Sequence, residues 1–257
     1  MRQSKTLARL RNNETVRMCC LGHYIPAFVK HAAHFGFDCI WLDLEHRNWT
    51  PRDVQSILAF SHLFDIDIML RPPTLEKTAL YRYLEDGATG LMIPHVNTAD
   101  KARQLVNAVK FPPLGDRGLD SAGLDADFYV GSSEDYLAQV NDETFLVVQC
   151  ETPEAVANVD EIAAVEGVGA IFVGPGDLGL RLKYDDSGLT LEKAVETVAE
   201  ACKRHDMAWG IPTSSSEDLE KRMSQGGQLL VRGGDFGAIM NHLKEAAGVF
   251  DTVIAKG

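Results

Sequence analysis

The chain has 257 residues, 45% of them hydrophobic, a length that fits one barrel domain of about 250 residues. Its formal net charge is −12 and its basic residues are scattered, which argues against nucleic-acid or anionic-membrane binding. Cys19, Cys20, Cys39, Cys150 and Cys202 form no C-x-x-C pair, and no leader-like or membrane-spanning apolar run is present, so a reducing cytoplasm is expected.

Short β-rich runs alternate with helical patterns along the chain. Strands are predicted at residues 17–22, 38–43, 67–71, 90–96, 145–150, 170–173, 208–212 and 228–232. Several are continuous apolar runs, the mark of parallel strands buried on both faces. Between them, helices are predicted at 51–62, 75–85, 99–109, 154–165, 191–205 and 216–225, and a last one with a broad apolar face at 236–255. Thr50 followed by Pro51 and Thr98 before Ala99 supply N-caps, and Asp86-Gly87 supplies a stop. Residues 112–141 are too long for an ordinary connection and are expected to be an extended βα loop over a barrel mouth. The pattern predicts a single (β/α)8 TIM barrel over residues 1–257, with its active site at the C-terminal strand ends.

Three predicted strand ends carry polar groups: Trp41-Leu42-Asp43-Leu44-Glu45-His46, Gln149-Cys150-Glu151 and Gly174-Pro175-Gly176-Asp177. Glu151 and Asp177 follow adjacent strands, and two converging carboxylates repel unless a cation lies between them. Oxygen ligands favour Mg2+ or Mn2+. The alternative is that each caps a helix; their matching placement favours the metal. The glycines around Asp177 match G-x-G-x-x-G, but a dinucleotide site is rejected because Asp177 stands where pyrophosphate would approach. The N–H groups of Gly176 and Asp177 could receive a carboxylate at a helix N-terminus.

His46 lies past the second strand with Asp43 and Glu45 near enough to orient it, and imidazole suits proton transfer near neutral pH. Asp86 is open between an orienting partner and a cap. Arg71, before Pro72-Pro73, can stabilise a developing oxyanion, with a surface ion pair as the alternative. Gln149 shares the strand face of Glu151. Arg117, on the long connection, is balanced between holding an acidic substrate tail and being a solvated charge. His95 is a further mouth residue with no assigned role.

These pieces, in this order, carry a family resemblance. Leu42-Asp43-Leu44-Glu45-His46, Arg71-Pro72, Asp86-Gly87-Ala88, the run from Pro112 through Arg117-Gly118, Gln149-Cys150-Glu151 and Phe172 through Leu178 together resemble the HpcH/HpaI aldolases. These are metal-dependent class II pyruvate aldolases of the 4-hydroxy-2-oxoheptanedioate aldolase type. The resemblance implies a (β/α)8 barrel whose last helix exchanges between subunits, usually in a hexamer. It implies Glu151 and Asp177 as ligands of Mg2+, Mn2+ or Co2+, and the Gly176 and Asp177 backbone as the pyruvate carboxylate site. Arg71 would bind the keto oxygen, His46 would be the acid/base, and Asp86 would pair with that histidine across a subunit contact. The chain departs from the family at Gly169, at His95, where an apolar residue is more usual, and over residues 119–129.

The activity so implied is cleavage of a 4-hydroxy-2-oxo acid to pyruvate and an aldehyde through a metal-stabilised pyruvate enolate. No lysine falls inside a predicted strand, so no Schiff base is required. The alternatives are oxaloacetate decarboxylation, acyl-CoA lysis, for which a basic phosphate-binding cluster is lacking, and a non-catalytic metabolite-binding barrel.

Overall fold

In the computed structural model, which describes residues 2–130 and 135–255, eight parallel strands close into a barrel in sequential order. They are β1 (Val16–Leu21), β2 (Cys39–Asp43), β3 (Asp67–Arg71), β4 (Gly90–Ile93), β5 (Phe145–Cys150), β6 (Ala170–Val173), β7 (Ala208–Pro212) and β8 (Leu229–Gly234). The fold is a TIM barrel, as the alternation predicts. The fourth strand stops short of its predicted end because Pro94 has no N–H for the ladder and His95 turns into the left-handed region at φ 54°.

Helix α1 (Lys5–Arg11) precedes β1 and α2 (Pro26–His34) follows it. Neither is among the predicted helices. The first is only seven residues long, and the second starts behind Ile25, which makes no side-chain cap. Then come α3 (Pro51–Leu63), α4 (Lys77–Glu85) and α5 (Ala99–Val109), each after its strand. Thr50 and Asp53 close a reciprocal capping box on α3. Helix α6 (Tyr136–Glu143) leads into β5, and the predicted helix at 154–165 is broken at Asn158 into α7 (Pro153–Ala157) and α8 (Val159–Ala163). Helices α9 (Pro175–Leu182) and α10 (Leu191–Arg204) lie between β6 and β7, α11 (Ser216–Ser224) follows β7, and α12 (Asp235–Ile254) follows β8. No described helix is long and apolar enough to cross a membrane.

Alternation along the strands sorts side chains into two cores. Met18, Cys39, Met69, Met92, Val147, Phe172 and Val231 fill the barrel. Leu21, Ile40, Leu70, Leu91, Val148, Ile171 and Leu230 face the helices. Gly90 is required by this packing, because a Cβ there would lie 2.1 Å from the Phe145 ring. At the floor Asp67 is buried on the barrel axis side and is held by the N-terminal segment. Its carboxylate accepts from the Arg2 guanidinium, from Ser4 Oγ at 2.7 Å and from the Thr6 amide at 2.8 Å.

The last helix is different. Asp235 is its one buried residue, while Met240, Leu243, Phe250 and Val253 are exposed. The apolar face read from the sequence therefore lies outside the protomer's own core.

The long connection is corrected by the fold. Residues 112–130 leave α5 and return towards β5, so they form an αβ connection, at the end of the barrel opposite the active-site mouth. Arg117 sits inside it with a fully buried guanidinium, 3.0 Å from Asp125 Oδ2 and over the Phe111 ring at 4.6 Å. Tyr136 donates to the same Asp125 oxygen at 2.8 Å. Arg117 is therefore not placed to hold a substrate tail; it binds the connection to itself. Arg117→Ala leaves the Asp125 carboxylate buried without its counter-charge. It is expected to lower stability by about 3–5 kcal/mol, read from the urea midpoint, while substrate preference in the folded protein stays as in the parent.

Candidate active site

Inward positions recur at every second residue, and at the C-terminal strand ends they become polar. In β2 the series Cys39, Trp41, Asp43 runs on to Glu45; in β3 it ends at Arg71; in β5 it ends at Gln149 and continues to Glu151. Asp43 and Arg71 are register partners across the β2–β3 ladder. The Arg71 guanidinium consequently meets both Asp43 oxygens, with Nε to Oδ1 and Nη2 to Oδ2, each 2.9 Å. Its third nitrogen, Nη1, lies 3.0 Å from Glu45 Oε2 and 3.4 Å from Gln149 Oε1. The guanidinium carbon lies over the Trp41 ring, 4.7 Å from its centroid.

Asp43 also shapes the next turn, because its Oδ1 accepts from the Glu45 amide at 3.1 Å and the His46 amide at 3.4 Å. That turn carries His46 to the rim, half exposed, with Nε2 3.7 Å from Glu45 Oε2. Sequence proximity assigns Asp43 and Glu45 to His46; in the fold both bind Arg71 more closely. A cavity of ≈ 400 Å³ lies beside them, lined by Trp41, Asp43, His46, Arg71 and the start of α12. Asp235 closes its far wall, accepting from the Gly22 amide at 3.0 Å, the His23 amide at 2.8 Å and the His23 ring at 2.6 Å. Asp235 and His23 escape the sequence reading; the contact joins β1 to the beginning of the last helix.

Glu151 is buried, yet it caps no helix. Thr152 does that, accepting from Ala155 N at 3.0 Å, which removes the capping alternative for Glu151. Its Oε1 accepts from the His95 amide at 2.7 Å and lies 2.9 Å from His95 Nδ1. Its Oε2 faces Gly174, where a Cβ would sit only 2.5 Å away. Gly174 is the inward position after β6, and its missing side chain is the space that Oε2 occupies. Burial pushes the Glu151 carboxyl up from the usual range; the His95 amide and ring pull it partly back, and Asp177 and Glu45 add to the rise.

Asp177 is in the first turn of α9, three residues beyond the N-cap Gly174, so it is not the cap either. Its Oδ1 accepts from Arg181 Nη1 at 2.7 Å, and the same nitrogen reaches the Glu151 carbonyl at 3.3 Å. Arg181, four residues on along the helix, is a second residue the sequence reading passes over; the i,i+4 spacing is its signal. Among the described residues no three His, Cys, Asp or Glu side chains form a ready metal cluster. The donor set does fit a hard divalent cation, which is held through one or two carboxylates and keeps several waters. Glu151 Oε2 and Asp177 Oδ2 have no hydrogen-bond donor among the described residues, and the absence of a side chain at Gly174 is what lets Oε2 sit there.

Asp86 is elsewhere. It ends α4, accepts from Gln55 Nε2 at 2.9 Å, and lines an outer groove rather than touching His46 of its own protomer.

The comparisons with known proteins match this architecture. The model of the HpcH/HpaI aldolase/citrate lyase family covers residues 18–242. The chain belongs to that family. A curated relative, the 2-keto-3-deoxy-L-rhamnonate aldolase of Escherichia coli O17:K52:H18, is 32% identical over 88% of this chain and 85% of its own. The crystal structure of an HpcH/HpaI aldolase from Desulfitobacterium hafniense DCB-2 superposes with a TM-score of 0.87 at 26% identity, covering 95% of each chain. An HpcH/HpaI aldolase/citrate lyase family protein from Burkholderia cenocepacia J2315 gives 0.87 at 29% identity, over 97% of this chain and 100% of that one. By homology this HpcH/HpaI family member is an aldolase, a carbon–carbon lyase.

The raised Glu151 carboxyl has a pH signature. Between the ordinary glutamate value of about 4.3 and the raised one, the folded chain binds more protons than the unfolded, so stability falls as pH climbs through that window. Glu151→Gln keeps the acceptor for His95 without the buried charge. In metal-free protein it is expected to melt higher than the parent at neutral pH and together with it near pH 4, by calorimetry. A lower melting temperature at neutral pH contradicts the assignment.

Proposed function

We propose that this HpcH/HpaI family member is a divalent-metal-dependent aldolase that cleaves a 4-hydroxy-2-oxo acid to pyruvate and an aldehyde. The observation that carries the reading is the clustering of Arg71 with Asp43, Glu45 and Gln149 at the mouth, beside the buried Glu151 and the first turn of α9. The name of the Escherichia coli relative supports the substrate class, since a 2-keto-3-deoxy acid sugar is a 4-hydroxy-2-oxo acid.

Glu151 Oε2 and Asp177 would hold the cation, Mg2+, Mn2+ or Co2+. When bound, it would supply Lewis-acid polarisation of the 2-oxo group, worth several kcal/mol. The amides of Gly176 and Asp177 are in the first turn of α9, where helix N–H groups have no intrahelical partner, and a Cβ at Gly176 would meet nothing within 4 Å. They receive the substrate carboxylate. Arg71, held flat by Asp43 and Trp41, donates to the keto oxygen as negative charge grows there. His46, half exposed at the rim beside Glu45, takes the proton of the 4-hydroxyl. The C3–C4 bond then breaks, its electron pair forms the enolate, and the aldehyde leaves. Protonation at C3 yields pyruvate. Gln149, bonded to Arg71, orients the guanidinium and the oxo group together.

The exposed apolar row of α12 supports an exchanged helix in an oligomer, a hexamer on the family pattern, with Asp86 reaching His46 of a neighbour. The acidic chain has no basic cluster for a CoA phosphate tail, which favours the aldol reading over acyl-CoA lysis.

A cleavage screen of 4-hydroxy-2-oxo acids with Mg2+, Mn2+ or Co2+ tests this. Pyruvate release that depends on the cation is expected, with deuterium exchange into pyruvate methyl in D2O. Arg71→Lys, which cannot keep the paired contact with Asp43, should lower kcat by about a hundred- to a thousand-fold. Activity that survives a chelator, or covalent trapping by borohydride, would falsify the metal mechanism.

A further inference from the structure

His95 has a role that its place in the chain does not announce. It follows Pro94 at the exit of β4 and holds a left-handed backbone at φ 54°, a region that disfavours side chains other than those of Asn, Asp and His. Strained backbone of this kind persists only where its surroundings over-determine it. They do so here. The His95 amide donates to Glu151 Oε1 at 2.7 Å, and its carbonyl accepts from Lys101 Nζ at 2.7 Å. The following amide, Val96, donates to the Gln149 carbonyl at 3.3 Å. Asn97 then accepts from Thr152 Oγ1 at 2.9 Å, and its carbonyl accepts from Asn158 Nδ2 at 2.9 Å. Residues 95–97 are thus bound onto the exit of β5, on both sides of Glu151.

The twist turns the imidazole back so that Nδ1 lies 2.9 Å from the same Oε1 that the main-chain amide holds. One residue thus meets that oxygen twice, through a main-chain hydrogen bond and through a ring nitrogen at ion-pair distance. A carboxylate is planar, so pinning Oε1 against a fixed backbone also fixes Oε2, which takes up the inward space that Gly174 leaves without a side chain. The ring's other nitrogen, Nε2, stands 3.8 Å from Glu45 Oε1.

We infer that His95 is a positioning residue: its amide bonds Oε1 of Glu151 and its ring stands against the same oxygen, so that Oε2 is the oxygen left for a divalent cation at the 174–177 turn. The inference rests on the reading of Glu151 as a metal ligand. It makes His95 a support of the ligand and not itself a ligand, because the ring meets the oxygen remote from Gly174. Outer partners that orient metal carboxylates typically set affinity by about ten- to a hundred-fold.

The test is Mn2+ binding to the intact chain, by calorimetry and by the electron paramagnetic resonance signal of free Mn2+, with thermal melts to verify folding. His95→Gly keeps the main-chain donor and suits the left-handed backbone, but loses the ring; its Kd for Mn2+ should rise about ten- to a hundred-fold. His95→Asn tolerates the same backbone and returns a short N–H donor, so it should recover most of the affinity. Should His95→Gly melt below the assay temperature, His95→Asn against His95→Ala makes the same comparison. Glu151→Ala separates the two levels of the argument. If the parent binds no Mn2+, or Glu151→Ala binds as the parent does, the metal reading of Glu151 fails. If Glu151→Ala loses the ion while His95→Gly keeps parental affinity, only the role of His95 is overturned.

Discussion

The guanidinium of Arg71 leaves the end of β3 between the carboxylates of Asp43 and Glu45 and the amide of Gln149, over the ring of Trp41. Asp43, Glu45, Glu151 and Asp177 bring four acidic groups to one mouth of a chain already at −12. Without a cation among them the cluster would repel itself. Arg71 neutralises the β2 side and Arg181 holds Asp177 on the β6 side. Glu151, between these sides, has among the described residues only the His95 imidazole within ion-pair distance, and burial raises its carboxyl. The acid that most lacks compensation is thus the one proposed to bind the cation.

The barrel makes this arrangement by parity more than by sequence motif. Once Cys39, Met69 and Val147 face inward, Asp43, Arg71 and Glu151 must face inward too, two or four residues later. Parallel register then sets Asp43 beside Arg71. Gly174 completes the design by omission, since any side chain on that inward position would take the space of a Glu151 oxygen.

The strands and the closed barrel were legible because strands buried on both faces read as apolar runs. The strand-end acids, Arg71 and His46 were legible for the same reason, as polar residues that interrupt those runs at one end. Partnership was not. Asp43 and Glu45 are nearest in sequence to His46, but the ladder gives them to Arg71, and register is a property of two strands rather than one. The grip of His95 on Glu151 depends on a backbone twist after Pro94 that residue type alone does not specify. The length of the connection carrying Arg117 suggests a loop over the mouth, but a segment between a helix and the following strand lies at the floor. The burial of Arg117 against Asp125 then follows from the compact fold of that connection.

At that floor Asp67 depends on side chains and amides from before β1: Arg2, Ser4 and Thr6. The first strand begins only at Val16. A chain trimmed to the strands would therefore keep every barrel hydrogen bond and still leave a carboxylate stranded inside it. The opening segment works as a stopper, and shortening it would unseat the fold from the end farthest from the chemistry.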